Sequence, residues 1–195
     1  MKTTITTLIL SVLAITSVAQ PKEYYKNSNI LKVNGIDYAI TIESIEMQDT
    51  PRVSFTGITE KDSQGKDFSS RTKNGELFYL KAFANTCEVI NSDMIFPIVK
   101  RILNKYGFDI YNKDGNIPSD DHTNNRLSMH IYFNVDNKKV ETVRFNFRDS
   151  SKANTVPIEA YDEIIKELKR TLICIPNEIG KQLIYCNVFY SFVLK

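Results

Sequence analysis

The chain has 195 residues, 42% hydrophobic and 25% charged, a balance that excludes a disordered polar chain and fits one compact domain. Its formal net charge is only +2, and no basic stripe interleaved with aromatics stands out, so nucleic acid is excluded as the expected partner. After the first twenty residues no apolar run approaches the roughly 20 residues that a membrane-spanning helix needs.

The opening "MKTTITTLILSVLAITSVAQ" reads as a signal peptide. Lys2 is its sparse positive start, the apolar run from Ile5 to Ile15 is too short to span a bilayer, and in Ser17-Val18-Ala19 small residues stand at the two positions a signal peptidase reads. Cleavage is predicted between Ala19 and Gln20. Residues 20–195 are then a single exported domain, periplasmic or secreted.

The first strong local signal is "ILKVNGIDYAITIESIEM", two apolar-rich runs joined by Asn34-Gly35. Asn-Gly supplies the two positive φ values of a type I′ hairpin turn. In the second arm Ile36, Tyr38, Ile40 and Ile42 alternate with Asp37, Ala39, Thr41 and Glu43, which predicts one buried and one wet face. A strand over 52–59 follows Pro51, a polar stretch over 60–74 predicts a long mobile loop, and strand character resumes over 77–83 and 87–90, so that 30–90 is rich in strands.

A helix is predicted over about 92–106, where Ile95, Ile98, Val99, Ile102, Leu103 and Tyr106 share one face. Pro97 falls in its first turns, where a missing N–H matters least, and Gly107 is its natural left-handed terminator. Next comes "NKDGNIPSDD", which invites comparison with a calcium loop of the helix-loop-helix type. With Gly115 at position 6, Asn112, Asp114 and Asp121 fall at positions 3, 5 and 12, but Ile110 at position 1 offers no side-chain oxygen and neither flank reads as a helix. The stretch is expected to connect two strands, since Asp and Asn are common in turns. Its alternative is a non-helical calcium site built from Asp114, Asp120 and Asp121.

The hairpin over 127–148 alternates Leu127, Met129, Ile131 and Phe133 with Ser128, His130, Tyr132 and Asn134, and its return arm alternates Val143, Phe145 and Phe147 with Arg144, Asn146 and Arg148. Superposing the apolar faces requires an odd loop, such as 137–139, with Phe133 opposite Val143 and Tyr132 opposite Arg144. The second helix, over 157–172, carries the stripe Tyr161, Ile164, Ile165, Leu168 and Leu172; its acids Glu159, Asp162 and Glu163 precede its bases Lys166, Lys169 and Arg170, the order the helix dipole favours. A last strand over 183–194 is apolar in part on both faces and is expected to pair deep in the sheet. The whole predicts an α+β fold, a mainly antiparallel sheet with two helices packed on one face.

The last third, from Leu127 to Lys195, resembles the TonB C-terminal domain and small exported domains built like it. The likeness rests on the hairpin "FNVDNKKVETVRF", the helix "AYDEIIKELKRTL", Pro176 and Gly180-Lys181 after it, and the closing "FVL"; it departs at Asn137 to Lys139, where that family usually has a glycine. The resemblance implies a non-enzymatic envelope or secreted protein that binds a protein or peptide. In TonB itself the partner lies along a sheet edge, so no side-chain roles carry over.

On the wet face of the hairpin, His130, Tyr132, Arg144 and Arg148 are the candidates for a contact surface, because Tyr and Arg are enriched where interfaces draw their energy. The plainer reading is a solvated sheet face on which Tyr132 rests against Arg144. Of three cysteines, Cys174 and Cys186 flank one connection and are the candidate disulfide; alternatively Cys87, Cys174 and Cys186 are all small buried hydrophobes. A Cys–His pair with His130 would make an envelope hydrolase, the alternative function, although no motif for metal, phosphate or nucleophilic chemistry is present. A binding module predicts a groove or strand edge, and an enzyme a deep pocket with convergent polar groups.

Overall fold

The computed structural model describes residues 25, 29–45, 53–63, 66, 68, 71–77, 86–112 and 117–195. The cleavage point, Asp114 and most of the strand predicted over 77–83 lie outside the described residues. Asn34 and Gly35 take φ of +50° and +83° and turn β1 (Ile30–Val33) into β2 (Ile36–Ile45), with Val33 opposite Ile36. Only the first half of β2 is dry. Tyr38, Ala39 and Ile40 are buried, whereas Thr41 to Ile45 are all exposed, because alternation marks a face without saying how far its cover extends.

Six more strands follow the hairpin among the described residues. β3 (Val53–Glu60) pairs with β2, and a two-stranded ladder joins β4 (Cys87–Ile90) to β7 (Ile173–Pro176). β5 (Arg126–Asn134), β6 (Val140–Arg148) and β8 (Tyr185–Val193) complete a six-stranded sheet of order β1-β2-β3-β6-β5-β8, antiparallel at every pairing. The fold is α+β, as its periodicities predict.

α1 (Ile95–Lys105) has Pro97 in its first turn and ends as expected. Gly107 at φ +87° lets its own N–H reach the Asn104 carbonyl while the Phe108 N–H reaches that of Leu103, the paired bonds of a Schellman terminus. α3 (Ile158–Thr171) starts after Pro157 and buries the whole predicted stripe. Its Tyr161 ring lies 4.7 Å from Phe145 and 6.0 Å from Phe147, and Phe96 of α1 lies 6.2 Å from Phe192. Each such side chain withdrawn from water contributes on the order of 1.5–3 kcal/mol, which fixes both helices on one face. No helix among the described residues is long and apolar enough to cross a membrane.

Four details differ from the sequence expectation. In the β5–β6 hairpin, His130 lies opposite Arg144 and Tyr132 opposite Thr142, while Phe133 meets Val140 across an irregularity. The predicted parity holds from Leu127 to Tyr132, with the register moved by two because the loop is longer, and breaks at Phe133. Asn134 Oδ1 accepts from the N–H groups of Asp136 and Asn137, and Asn137 Oδ1 from that of Lys139, so side chains serve the turn in place of ladder bonds.

β8 lies at the sheet edge rather than deep within it. Its double apolarity arises because Cys186 and Phe192 are buried on the helix side, while Tyr185, on the other side, packs 4.8 Å from Phe68. That same Phe68 is buried inside the stretch read as a mobile loop, where Lys61–Ser63 also forms a single 3-10 turn and Thr72 bridges to Leu183. A stretch so polar hides one large apolar anchor. Finally, the connector after Asn112 does not run from strand to strand: Ile110 makes one bridge to Leu194, and α2 (Ser119–Asn124) then leads into β5. α2 has no apolar stripe from which to be read.

Candidate contact surface

Successive residues of a strand face opposite ways, so the observed registers put Thr41 and Glu43 of β2, Phe55 and Gly57 of β3, and Arg144, Asn146 and Arg148 of β6 on the face away from the helices, beside His130 of β5. Two adjoining hollows of about 460 and 420 Å³ cross this face and share Phe55 and Asn146 as their common wall. Glu43 and Arg144 line the first, and His122, Arg126, His130 and Arg148 the second. Gly57 lies under the first hollow, where the side chains of Thr41 and Asn146 close over it: a Cβ there would stand 2.5 Å from Thr41 Oγ1 and 3.1 Å from Asn146 Oδ1.

Three of the four predicted contact residues, His130, Arg144 and Arg148, therefore share the surface. Tyr132 does not. It is 7% exposed, roofed by the Phe68 ring at 4.6 Å, with the Arg144 guanidinium 5.7 Å from its ring and 5.9 Å from that of Phe68. The expected contact of Tyr132 with Arg144 is thus made diagonally, as a cation over two aromatic faces.

The charge of the surface is positive at one end. Arg148 donates to Asn124 Oδ1 at 3.2 Å and Arg126 to Ser191 Oγ at 3.3 Å; among the described residues none of Arg126, Arg144 and Arg148 pairs with a carboxylate. Burial, and then the neighbouring Arg144 charge, hold His130 below the usual imidazole range, so its ring is neutral at pH 7. It packs 4.9 Å from Phe189, which is 52% exposed at the sheet edge.

The remaining candidates lie elsewhere. Asp121 accepts from Tyr111 Oη and Asn125 Nδ2, both at 2.7 Å; the Tyr111 bond is the main reason its carboxyl lies below the usual range. Asp120 is exposed, and among the described residues no three carboxylates converge as calcium ligands. The thiols of Cys174 and Cys186 are free, and Cys87 joins them in one cluster. Cys186 sits opposite Phe133 on the helix side, whereas His130 faces the other way, so the sheet itself separates the members of the conceivable Cys–His pair.

One polar site was not anticipated. Asp162 is buried on α3, where its carboxylate accepts from Tyr38 Oη at 2.7 Å, Asn34 Nδ2 at 2.8 Å and Lys166 Nζ at 2.8 Å. The signal lay in its spacing: at four residues after Ile158 and three before Ile165, it occupies a position of the apolar stripe.

Comparison with known proteins finds a domain of unknown function, DUF5043, matching residues 114–190. It also finds the crystal structure of a DUF5043 family protein from Bacteroides uniformis ATCC 8492, which superposes with a TM-score of 0.63 over 87% of this chain and 92% of that one at 20% identity. No curated protein matches the chain. The matched segment overlaps the text read as TonB-like, and the likeness found there is to the domain of unknown function, with nothing in it that supports the TonB resemblance. The chain is thus similar in fold to a DUF5043 family protein and over residues 114–190 to the DUF5043 domain.

Proposed function

We propose that the protein is an exported, non-enzymatic binding module that holds a segment of an envelope or extracellular protein, or a peptide, on the helix-free face of its sheet. The observation that carries this is the pair of adjoining hollows rimmed by Arg126, Arg144 and Arg148 without carboxylate partners among the described residues. Guanidinium groups of this kind form forked bonds to carboxylates, so the segment suited to the site is extended, acidic at the Arg126–Arg148 end and apolar where it passes Phe55. The Thr41 hydroxyl and the Asn146 amide, which close over Gly57, offer the segment polar groups to bond.

The test is the double charge reversal Arg144→Glu with Arg148→Glu. It should abolish capture of the partner from an envelope extract while the variant keeps the parent's far-ultraviolet spectrum and cooperative melting, because among the described residues neither guanidinium holds an ion pair and what is lost is the Arg144 contact with two rings and one Arg148 bond to Asn124. Edge capture of the TonB kind relies on backbone bonds along a strand and would survive that reversal. Undiminished capture by the double variant would therefore overturn the proposed face.

A further inference from the structure

The three cysteines lie far apart in the chain, yet their Sγ atoms all fall within 4.8 Å of one another. In the β4–β7 ladder Cys87 faces Pro176 and Cys174 faces Val89, so the two cysteines share a face in diagonal positions. Diagonal neighbours stand about 7–8 Å apart, beyond the 4.4–6.8 Å or so between Cα atoms that a disulfide normally spans. Cys186 closes the triangle from β8. Any one disulfide would leave the third thiol stranded, whereas a central ion uses all three sulfurs.

With metal–sulfur bonds of about 2.3 Å, three sulfurs around one ion are separated by about 4 Å; the cluster reaches that spacing by closing less than about 1 Å. The surroundings fit a built site. A Cβ on Gly180 would stand 3.0 Å from Cys186 Sγ and 2.0 Å from the Thr86 carbonyl oxygen, so glycine is what allows the chain to pass over the sulfur. Cys174 and Cys186 are buried, and half-buried Cys87 opens the cluster to solvent. Binding of the ion displaces the thiol protons, so uptake depends on pH.

We propose that Cys87, Cys174 and Cys186 form a site for a thiophilic closed-shell metal ion, monovalent copper or zinc, held by three thiolate sulfurs. Three sulfurs suffice for three-coordinate copper; zinc would add the Thr86 carbonyl or a water as its fourth ligand.

The test titrates the reduced protein without oxygen, in one arm with monovalent copper and in the other with zinc, each buffered by a chromophoric chelator. One equivalent of either ion should leave the chelator, an ultraviolet thiolate-to-copper band should saturate at the same ratio in the copper arm, and the melting temperature should rise. Cys87→Ser, the substitution at the least buried position, should weaken uptake at least 100-fold while keeping the far-ultraviolet spectrum of the parent. Cys174→Ala should do likewise, and if it fails to fold then Cys87→Ser decides alone. Both ions staying on their chelators, or equal uptake by Cys87→Ser, would overturn the site.

Discussion

Replacement of Asp162 tests how much of the fold hangs on one buried charge. Its carboxylate accepts from Tyr38, Asn34 and Lys166. In Asp162→Asn the new Oδ1 still serves Tyr38, but the amide N–H groups confront Asn34 and Lys166, which lose bonds worth about 1.5–3 kcal/mol each to a charged acceptor. Both donors are open to water and recover part of this, so the expected loss is about 2–3 kcal/mol at pH 7. Asp162→Ala also strands the hydroxyl of Tyr38, whose side chain is fully buried, and should cost about 4 kcal/mol. Urea unfolding followed by far-ultraviolet circular dichroism reads both as a lower midpoint at constant slope.

The pH dependence gives the same test a sign. Burial pushes the Asp162 carboxyl up, but the bonds from Lys166, Asn34 and Tyr38 outweigh it and leave the group below its ordinary 3.8. The folded state thus binds this proton less readily than the unfolded chain, so the stabilisation is present above about pH 3.8 and is lost as pH falls through the lowered folded value. Tyr38 runs the other way: burial, then its bond to Asp162, raises its pKa far above 10.0, so its contribution is present below about pH 10 and fades as pH rises through the raised value. The gap between parent and Asp162→Asn should therefore close in acid. A gap under about 1 kcal/mol at pH 7, or one that persists undiminished below the folded pKa, would refute the reasoning.

Gly180→Ala forces a methyl against the Thr86 carbonyl, which is backbone and must move; overpacking of this kind costs about 1–3 kcal/mol, read as a lower urea midpoint. Gly107→Ala should cost about 1–2 kcal/mol by the same assay, because its φ of +87° disfavours any side chain.

The elements that depend on short-range rules were legible in the sequence. Asn34-Gly35 marks its turn, Gly107 its helix end, and the stripe from Tyr161 to Leu172 its buried face, since each is fixed by local backbone geometry or by a period within one element. What depended on distant partners was not legible. Phe68 gives no local sign that it will roof Tyr132, and the five-residue loop after Asn134 is chosen by side-chain bonds that parity alone does not reveal. That His130, Arg144 and Arg148 share one face was readable because strand alternation identified that face, on which Asn146 also fell without being singled out; Phe55 and Gly57 were missed because they join it only through the pairing of β3 with β6. The thiol cluster needs three strands from two sheets and has no local spacing to betray it.

The same alternation keeps the thiol cluster apart from the proposed contact face. On β8, Cys186 and Phe189 differ by an odd number of residues and so face opposite ways: Cys186 toward the ladder and the helices, Phe189 toward His130. About 10 Å of strand separates them, and β5 runs between the two neighbourhoods with Phe133 on one side and His130 on the other. A soft ion drawn to the sulfurs therefore meets no imidazole, and a carboxylate drawn to the arginines meets no thiol. The sheet is the insulator, and the edge position of β8 lets a single strand serve both sides.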